Sequence, residues 1–365
     1  MARNTSGKKV RYAVVGLGHF AQSAILPAFA HAPNSELVAL VSGDAAKRAK
    51  LTKAYQVPFA LGYHDYDSFL STGAVDAVYI ALPNHLHADY TIRAAKHGVH
   101  VLCEKPLAVT VAECRQMIAA CKKADVKLMT AYRLHFEPAN LTSAKVVHDE
   151  RIGEPKLFSS TFAMDLREGN VRGKPLPGAG PLYDIGTYCI NAARGMFRAE
   201  PEEVFAMPGD GTDQTACVLR FPKGRLATFA VTFEGYHGSR YEVVGTKGSV
   251  EANPAYQHRG ALKNVVKIGE REKKQTFAAR DQVAAELIEF STCVLDDREP
   301  EPSGREGLLD VRVIEALETS AKKHRPVRLT RARKRRRPTL RQVRRAGPPP
   351  KKARPLVKVA SPGKH

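Results

Sequence analysis

The chain has 365 residues, 43% hydrophobic and 26% charged, with a formal net charge of +20. That length holds two domains with cores of their own plus a remainder, and that balance excludes a fibre or a wholly disordered chain. No apolar run reaches the roughly 18–20 residues of a membrane span, and the polar start MARNTSGKKV lacks the apolar centre of a secretory leader, so a cytoplasmic protein is expected. The charge is unevenly placed. Residues 331–365 hold 14 Lys or Arg and no acid, which leaves 43 bases against 37 acids, a net +6, in the rest. The six cysteines (103, 114, 121, 189, 217 and 293) show no CxxC spacing, so they read as small buried residues and suggest neither a metal nor a redox pair.

In chain order, RYAVVGLG is a short apolar strand running into glycines. HFAQSAILPAFAHAP is helical in character, with a bend or break expected at Pro27. ELVALV is a second strand, and AAKRAKLTKAYQV a helix ending before Pro58. AVDAVYIALP is a buried strand, HADYTIRAAKHG a helix stopped by Gly98, and HVLCEKP a strand entering a turn. TVAECRQMIAACKKAD has helical spacing behind Thr110 as its cap, and VKLMTAYR is a further strand. This alternation predicts a parallel sheet covered on both faces.

Near residue 155 the pattern changes. KLFSSTFAM, TACVLRF, RLATFAVTF, YEVVGTKGSVEA and VVKIG read as short, turn-separated strands of a mainly antiparallel sheet. DQVAAELIEFSTCVL and REGLLDVRVIEALETSAKKH read as amphipathic helices. Beyond Leu329 the apolar periodicity stops. The expected fold class is therefore α/β, divided into a dinucleotide-binding domain at 8–132, a substrate and oligomerisation domain at 133–330, and a basic, disordered tail at 331–365.

Gly16-x-Gly18-x-x-Ala21 follows a strand and opens a helix. Gly16 permits a tight turn, Gly18 lets backbone amides approach a pyrophosphate, and Ala21 is small enough for the helix to pack on the strand. An NAD site places a carboxylate at the end of the second strand. An NADP site avoids it and offers cations and hydroxyls to the 2′-phosphate. Here the strand ends in Ser42-Gly43. Asp44 either competes for the ribose or caps the next helix. Lys47 and Arg48 in that helix either meet the phosphate or form a solvated face. NADP rather than NAD is the expected cofactor.

GLGHFA, ALPNHLHA, CEKPLA, AYRLHFEP and PLYDIGTYCIN, together with residues 40–50, resemble the Gfo/Idh/MocA oxidoreductases, and within them the glucose–fructose oxidoreductase branch. The resemblance covers most of residues 10–330. It implies a Rossmann domain followed by an α/β domain with an open, mainly antiparallel sheet, and a homo-oligomer, dimer or tetramer. The expected cofactor-binding set is Gly16, Leu17, Gly18, His19, Phe20, Ser42, Gly43, Lys47, Leu82, Pro83, Asn84, His87, Glu104, Lys105 and Arg133, the last either facing the pocket at the junction of the halves or forming a surface ion pair. The family's lysine falls on Lys105. Its D-x-G-x-H motif falls on Asp184 to Tyr188, with Tyr in the histidine's place as in that branch. The branch's Trp-Arg pair is missing, since the chain has no Trp and reads NVRGKPLPGAG there.

Oxidising a sugar hydroxyl requires a hydride acceptor and a base. A tyrosine hydroxyl, with a reference pKa of about 10, serves as a base only beside a cation, which the resemblance supplies as Lys105. Asp184 orients the lysine or the substrate. Each has a structural alternative: Tyr188 as a helical aromatic, Lys105 as a solvated turn residue, Asp184 as a cap. His85 and His87 are two apart and have no carboxylate set around them, so no metal is expected. The reading is an NADP-dependent oxidoreductase of a cyclic aldose or related polyol. The alternatives are a dehydrogenase of another sugar, a cyclitol or a dihydrodiol, or a non-catalytic nucleotide-sensing protein whose basic tail contacts nucleic acid. The tail is expected to make at most weak polyanion contact.

Overall fold

Six parallel strands open the chain in the computed structural model, which describes residues 7–210, 213–332, 338–344, 346–349 and 354–359. They are β1 (Val10–Val15), β2 (Ser35–Val41), β3 (Phe59–Leu61), β4 (Ala77–Ile80), β5 (His100–Glu104) and β6 (Leu128–Ala131), hydrogen-bonded in the order β3-β2-β1-β4-β5-β6. β4 and β6 are buried at every position, as strands covered on both faces must be.

The first helical run changes its hydrogen-bonding pattern around Pro27 while its cap residues from Phe20 to Phe29 stay right-handed helical. A π-helical turn at Ala21–Ile25 leads into α1 (Leu26–Ala28) and a 3₁₀ turn at Phe29–His31. Proline has no N–H to donate within the helix, and the π turn is the irregularity that accommodates it. α2 (Ala45–Tyr55) and α3 (Tyr66–Leu70) follow, then α4 (His87–Lys96), behind which Gly98 has φ +70°. α5 (Val111–Lys123) starts at a capping box: Thr110 Oγ1 accepts from Glu113 N at 3.1 Å, and Glu113 Oε2 accepts from Thr110 N at 2.9 Å.

The chain forms two compact units, and the first is not contiguous. Besides residues up to Arg133 it contains Asp281–Leu308 and the described residues from Arg344 onward. This departs from the expected continuous segments at 133–330 and 331–365. The physical reason is α8 (Gln282–Leu295), which packs on β1 and β2. Ser291 Oγ lies 2.7 Å from both Tyr12 Oη and Ser35 Oγ, and Asn34 Nδ2 donates to the Ile288 carbonyl at 3.0 Å. The expected disorder at 333–337, 345, 350–353 and 360–365 concerns positions outside the described residues.

In the second unit a mixed nine-stranded sheet runs β14-β13-β12-β11-β7-β10-β9-β8-β15. Its strands are β7 (Pro155–Asp165), β8 (Glu203–Pro208), β9 (Gln214–Arg220), β10 (Leu226–Thr232), β11 (Glu234–Gly245), β12 (Gly248–Ala252), β13 (Leu262–Ile268), β14 (Arg271–Phe277) and β15 (Val327–Arg328). β7 and β10 pair in parallel and the other neighbours are antiparallel. Burial alternates along β9 and β10, so one face is core. α6 (Pro138–His148) packs on β12 and β13, and α7 (Thr187–Phe197) on β7. Leu157, Met207, Val218 and Leu226 stand exposed. α9 (Gly304–Lys323) begins in the first unit and enters the second at Leu309.

Behind α7 lies a buried charge network. Arg194 and Asp310 are both 0% exposed and paired. Arg194 Nε also meets Glu200 at 2.6 Å, and Asp310 Oδ2 accepts from Asn191 Nδ2 at 2.8 Å. Removing one partner of a buried pair strands the other charge. Asp310→Ala is therefore expected to cost about 3–5 kcal/mol in urea unfolding, and breaking the exposed Lys156–Glu154 pair to change the unfolding midpoint little. An Asp310→Ala loss no larger than the surface control would contradict this account.

Candidate functional site

The turn after β1 is set by Gly16. Its φ is +97°, and a Cβ there would stand 2.5 Å from the Ala81 carbonyl oxygen beyond β4. Gly16 N–H donates to Val41 O at 3.0 Å and Ala81 N–H to Val15 O at 2.8 Å, so the ends of β1, β2 and β4 are pinned together. Leu17 is buried, but Gly18 is exposed, and a Cβ on it would meet nothing within 4 Å. His19 and Phe20 are half-buried beside it. A bare backbone open to space at the start of a helical run suits a dinucleotide pyrophosphate.

At the end of β2, Ser42 is buried and Gly43 exposed. Asp44 is the N-cap of α2: its Oδ1 accepts from Lys47 N at 2.9 Å, and the capping hydrogen bond holds its carboxyl below the usual range. Lys47 Nζ lies 3.7 Å from Asp44, and the Arg48 guanidinium donates to the Ser42 carbonyl. Two cations thus flank the strand end, and its one acid is engaged in capping.

Leu82, Pro83 and Asn84 form the loop after β4, and Pro83 and Asn84 are half-exposed. His87 departs from expectation. It is 0% exposed, with Nε2 2.9 Å from the Leu82 carbonyl and Nδ1 3.0 Å from the Pro106 carbonyl. It sits between the loops after β4 and β5 instead of facing a ligand; burial holds its ring pKa down, and the neutral ring's one N–H donates to one of the two carbonyls. Arg133, also expected on the cofactor side, is buried and donates to Gln282 Oε1.

Glu104 and Lys105 end β5, both half-buried, and Lys105 N–H donates to Glu104 Oε2 at 3.3 Å. Sequence reasoning missed what lies behind them. Tyr79 Oη stands 2.8 Å from Glu104 Oε1 and 3.4 Å from Glu286 Oε2. One hydroxyl carries one proton, so it donates to one carboxyl and accepts from the other. Burial, then repulsion from Glu104, raises Glu286 well above the carboxylate range, so Glu286 is the protonated partner. Burial also raises Glu104, with the Lys105 charge opposing. The continuous apolar run of β4 gives no hint of this, and Glu286 lies on a helix distant in sequence.

In the second unit, Leu182–Gly186 forms a π turn that leads into α7. Across residues 181–190 only Asp184 and Tyr188 are not buried, and four residues apart they share a face. Asp184 Oδ2 lies 3.3 Å from Arg172 Nε, a partner that sequence reasoning did not name. The Tyr188 ring stacks on Tyr256 at 5.9 Å and tilts against Phe162 at 5.7 Å.

The Glu286 assignment has a pH consequence. Its folded pKa is raised, so the stability it gives is fully present below the unfolded value, about 4.3, and is lost as pH rises toward the folded value. Glu286→Gln mimics the protonated side chain and removes that slope. Thermal unfolding between pH 5 and 8 is expected to show the Gln variant gaining on the parent as pH rises, whereas parallel curves would place the proton elsewhere.

Residues 10–132 match the oxidoreductase family with an NAD-binding Rossmann fold, and residues 141–251 the Gfo/Idh/MocA C-terminal domain. The chain is 31% identical to D-xylose 1-dehydrogenase (NADP(+)) 2 of Haloferax volcanii, over 85% of this chain and 97% of the relative. It is 29% identical to a D-xylose 1-dehydrogenase (NADP(+)) of Haloarcula marismortui, over 88% and 93%. The crystal structure of aldose-aldose oxidoreductase from Caulobacter crescentus, complexed with glycerol, is 37% identical and superposes with a TM-score of 0.84, covering 88% of this chain and 100% of that one. A dinucleotide turn in the first unit, a D-x-G-x-Y helix start in the second and matches across both units lead to one conclusion: this chain belongs to the Gfo/Idh/MocA oxidoreductase family.

Proposed function

We propose that the chain is an NADP-dependent oxidoreductase that moves a hydride between the nicotinamide and a CH–OH carbon of a sugar, a cyclic aldose or related polyol. The observation that carries the cofactor choice is the end of β2. Ser42 and Gly43 present no carboxylate, Asp44 is engaged in capping α2, and Lys47 and Arg48 flank the place where a 2′-phosphate would lie. The xylose dehydrogenases of the two haloarchaea, both named for NADP(+), support the same choice, and with the Caulobacter enzyme they support a sugar as substrate.

Bound NADP supplies the hydride acceptor or donor. The protein's own part is to bind and orient the substrate and to move the hydroxyl proton. In the first unit that group is Lys105, at the end of β5 where sheet ligands gather. In the second it is Tyr188, whose ring is fixed by Tyr256 and Phe162, with Asp184 held by Arg172 as an orienting carboxylate.

Lys47→Ala is expected to weaken NADP binding by about 10- to 100-fold, the worth of a charge-assisted hydrogen bond, and to leave NAD binding nearly unchanged. A titration showing equal loss for both cofactors would contradict the assignment.

Tyr188→Phe keeps the ring contacts and removes the hydroxyl. Melting temperature and NADP affinity should hold, and turnover on the best aldose should fall roughly 10²- to 10⁴-fold. Near-parental turnover in this variant would transfer the proton role to Lys105.

A further inference from the structure

The basic C-terminal segment, read from sequence as a free tail, is tied to the first unit at four described points. The Arg344 guanidinium meets Glu289, with Nε at 2.6 Å, and Glu289 is only 2% exposed. The Gly347 carbonyl accepts from Asp281 N–H, the cap of α8, at 2.9 Å. Gly347 also lies against His31, where a Cβ would come within 3.5 Å of the ring, and His31 Nδ1 is 2.9 Å from Asp281. Ten residues further on, Val357 N–H donates to Gln22 Oε1 at 3.0 Å. His31 and Gln22 sit at the two ends of the helical run that opens at the glycine fingerprint.

Gln22 makes the last contact consequential. It is 2% exposed, and its own N–H donates to the Gly18 carbonyl at 3.1 Å. The other end of its carboxamide, Nε2, donates to the Leu17 carbonyl at 3.1 Å. One planar amide therefore joins Val357 to Leu17, the residue between the two glycines of the fingerprint. With its oxygen held by Val357, the amide cannot turn, and its nitrogen stays aimed at Leu17. Without Val357 a buried acceptor loses its partner and the Leu17 carbonyl loses a fixed donor. Gly18 has open space where a side chain would be, so no side-chain packing adds to the hydrogen bond its carbonyl accepts from Gln22.

We infer that the C-terminal segment is a working part of the cofactor site: through Val357 and the Gln22 amide it holds the Leu17–Gly18 backbone in the shape that receives the dinucleotide. Val357 and Gln22 are positioning residues, acting through the loop. Linkage makes the effect reciprocal, so bound NADP holds the segment in place by the same factor. This inference needs only that the fingerprint binds a dinucleotide, and stands whatever the substrate.

The test uses the full chain. Val357→Pro removes one N–H and nothing else from the Gln22 contact. NADPH affinity, read by nucleotide fluorescence, is expected to fall about five-fold, the order of one hydrogen bond, with KM for NADP rising more than kcat falls. Gln22→Ala should do the same, and the double variant should lose no more than the larger single loss. In the parent, NADP should slow tryptic cleavage within the arginine- and lysine-rich segment. A chain ending at Val343 provides the second variant if the proline perturbs folding, and it should bind NADPH at least as weakly. Parental affinity in either Val357→Pro or the shortened chain would overturn the inference, as would tryptic cleavage of the parent indifferent to NADP.

Discussion

Gly16 is the position on which the first unit turns. A side chain there would drive a Cβ to 2.5 Å from the carbonyl of Ala81, so only glycine lets β1 and β4 lie side by side and still release the chain at φ +97°. That approach puts the ends of β1, β2 and β4 in one place, and His87 lies buried between the loops after β4 and β5. The residues proposed for the cofactor, from Gly16 to Lys105, are therefore gathered largely by backbone contacts. This is the edge of an open parallel sheet where ligands are received.

Polar groups around that edge divide into those already engaged and those left open. Asp44 is engaged in capping α2, which leaves the positive charges of Lys47 and Arg48 to set the sign of the corner. Behind Glu104, burial and then repulsion from Glu104 push the Glu286 carboxyl well above the usual range, and the two carboxyls share the Tyr79 hydroxyl. In the second unit, Asp184 and Tyr188 are the half-buried residues of an otherwise buried helix start, Asp184 beside Arg172 and Tyr188 against Tyr256 and Phe162. The π turns at both helix starts, Ala21–Ile25 and Leu182–Gly186, are irregularities of the kind that recur at functional sites.

What was legible in the sequence was local. Strand and helix alternation, the glycine turn, the Thr110 and Asp44 caps and the Ser42-Gly43 corner all depend on neighbours within a few residues, and periodicity and cap chemistry carry them. What was not legible depends on chain return. The pairing of Tyr79 with Glu286, 207 residues away, has no signature in either segment. Nor does the return of α8 to β1 and β2, because an amphipathic helix shows which face it buries but not against what. His87 was read as a loop residue since nothing local shows that two carbonyls converge on its ring. The C-terminal segment looked free because its composition is that of disorder. A few backbone hydrogen bonds, at Gly347 and Val357, need no particular side chain and so leave no trace in composition.

The central claim is that hydride passes between NADP and the carbon of a sugar's hydroxyl group. An aldose deuterated at its anomeric carbon, incubated with the full chain and NADP, tests it directly through nuclear magnetic resonance of the reduced cofactor. The account predicts deuterium at nicotinamide C4, with a slower appearance of the reduced-nicotinamide absorbance than for the unlabelled sugar. Reduced cofactor without deuterium, or no reduction across a panel of aldoses and polyols, would contradict it.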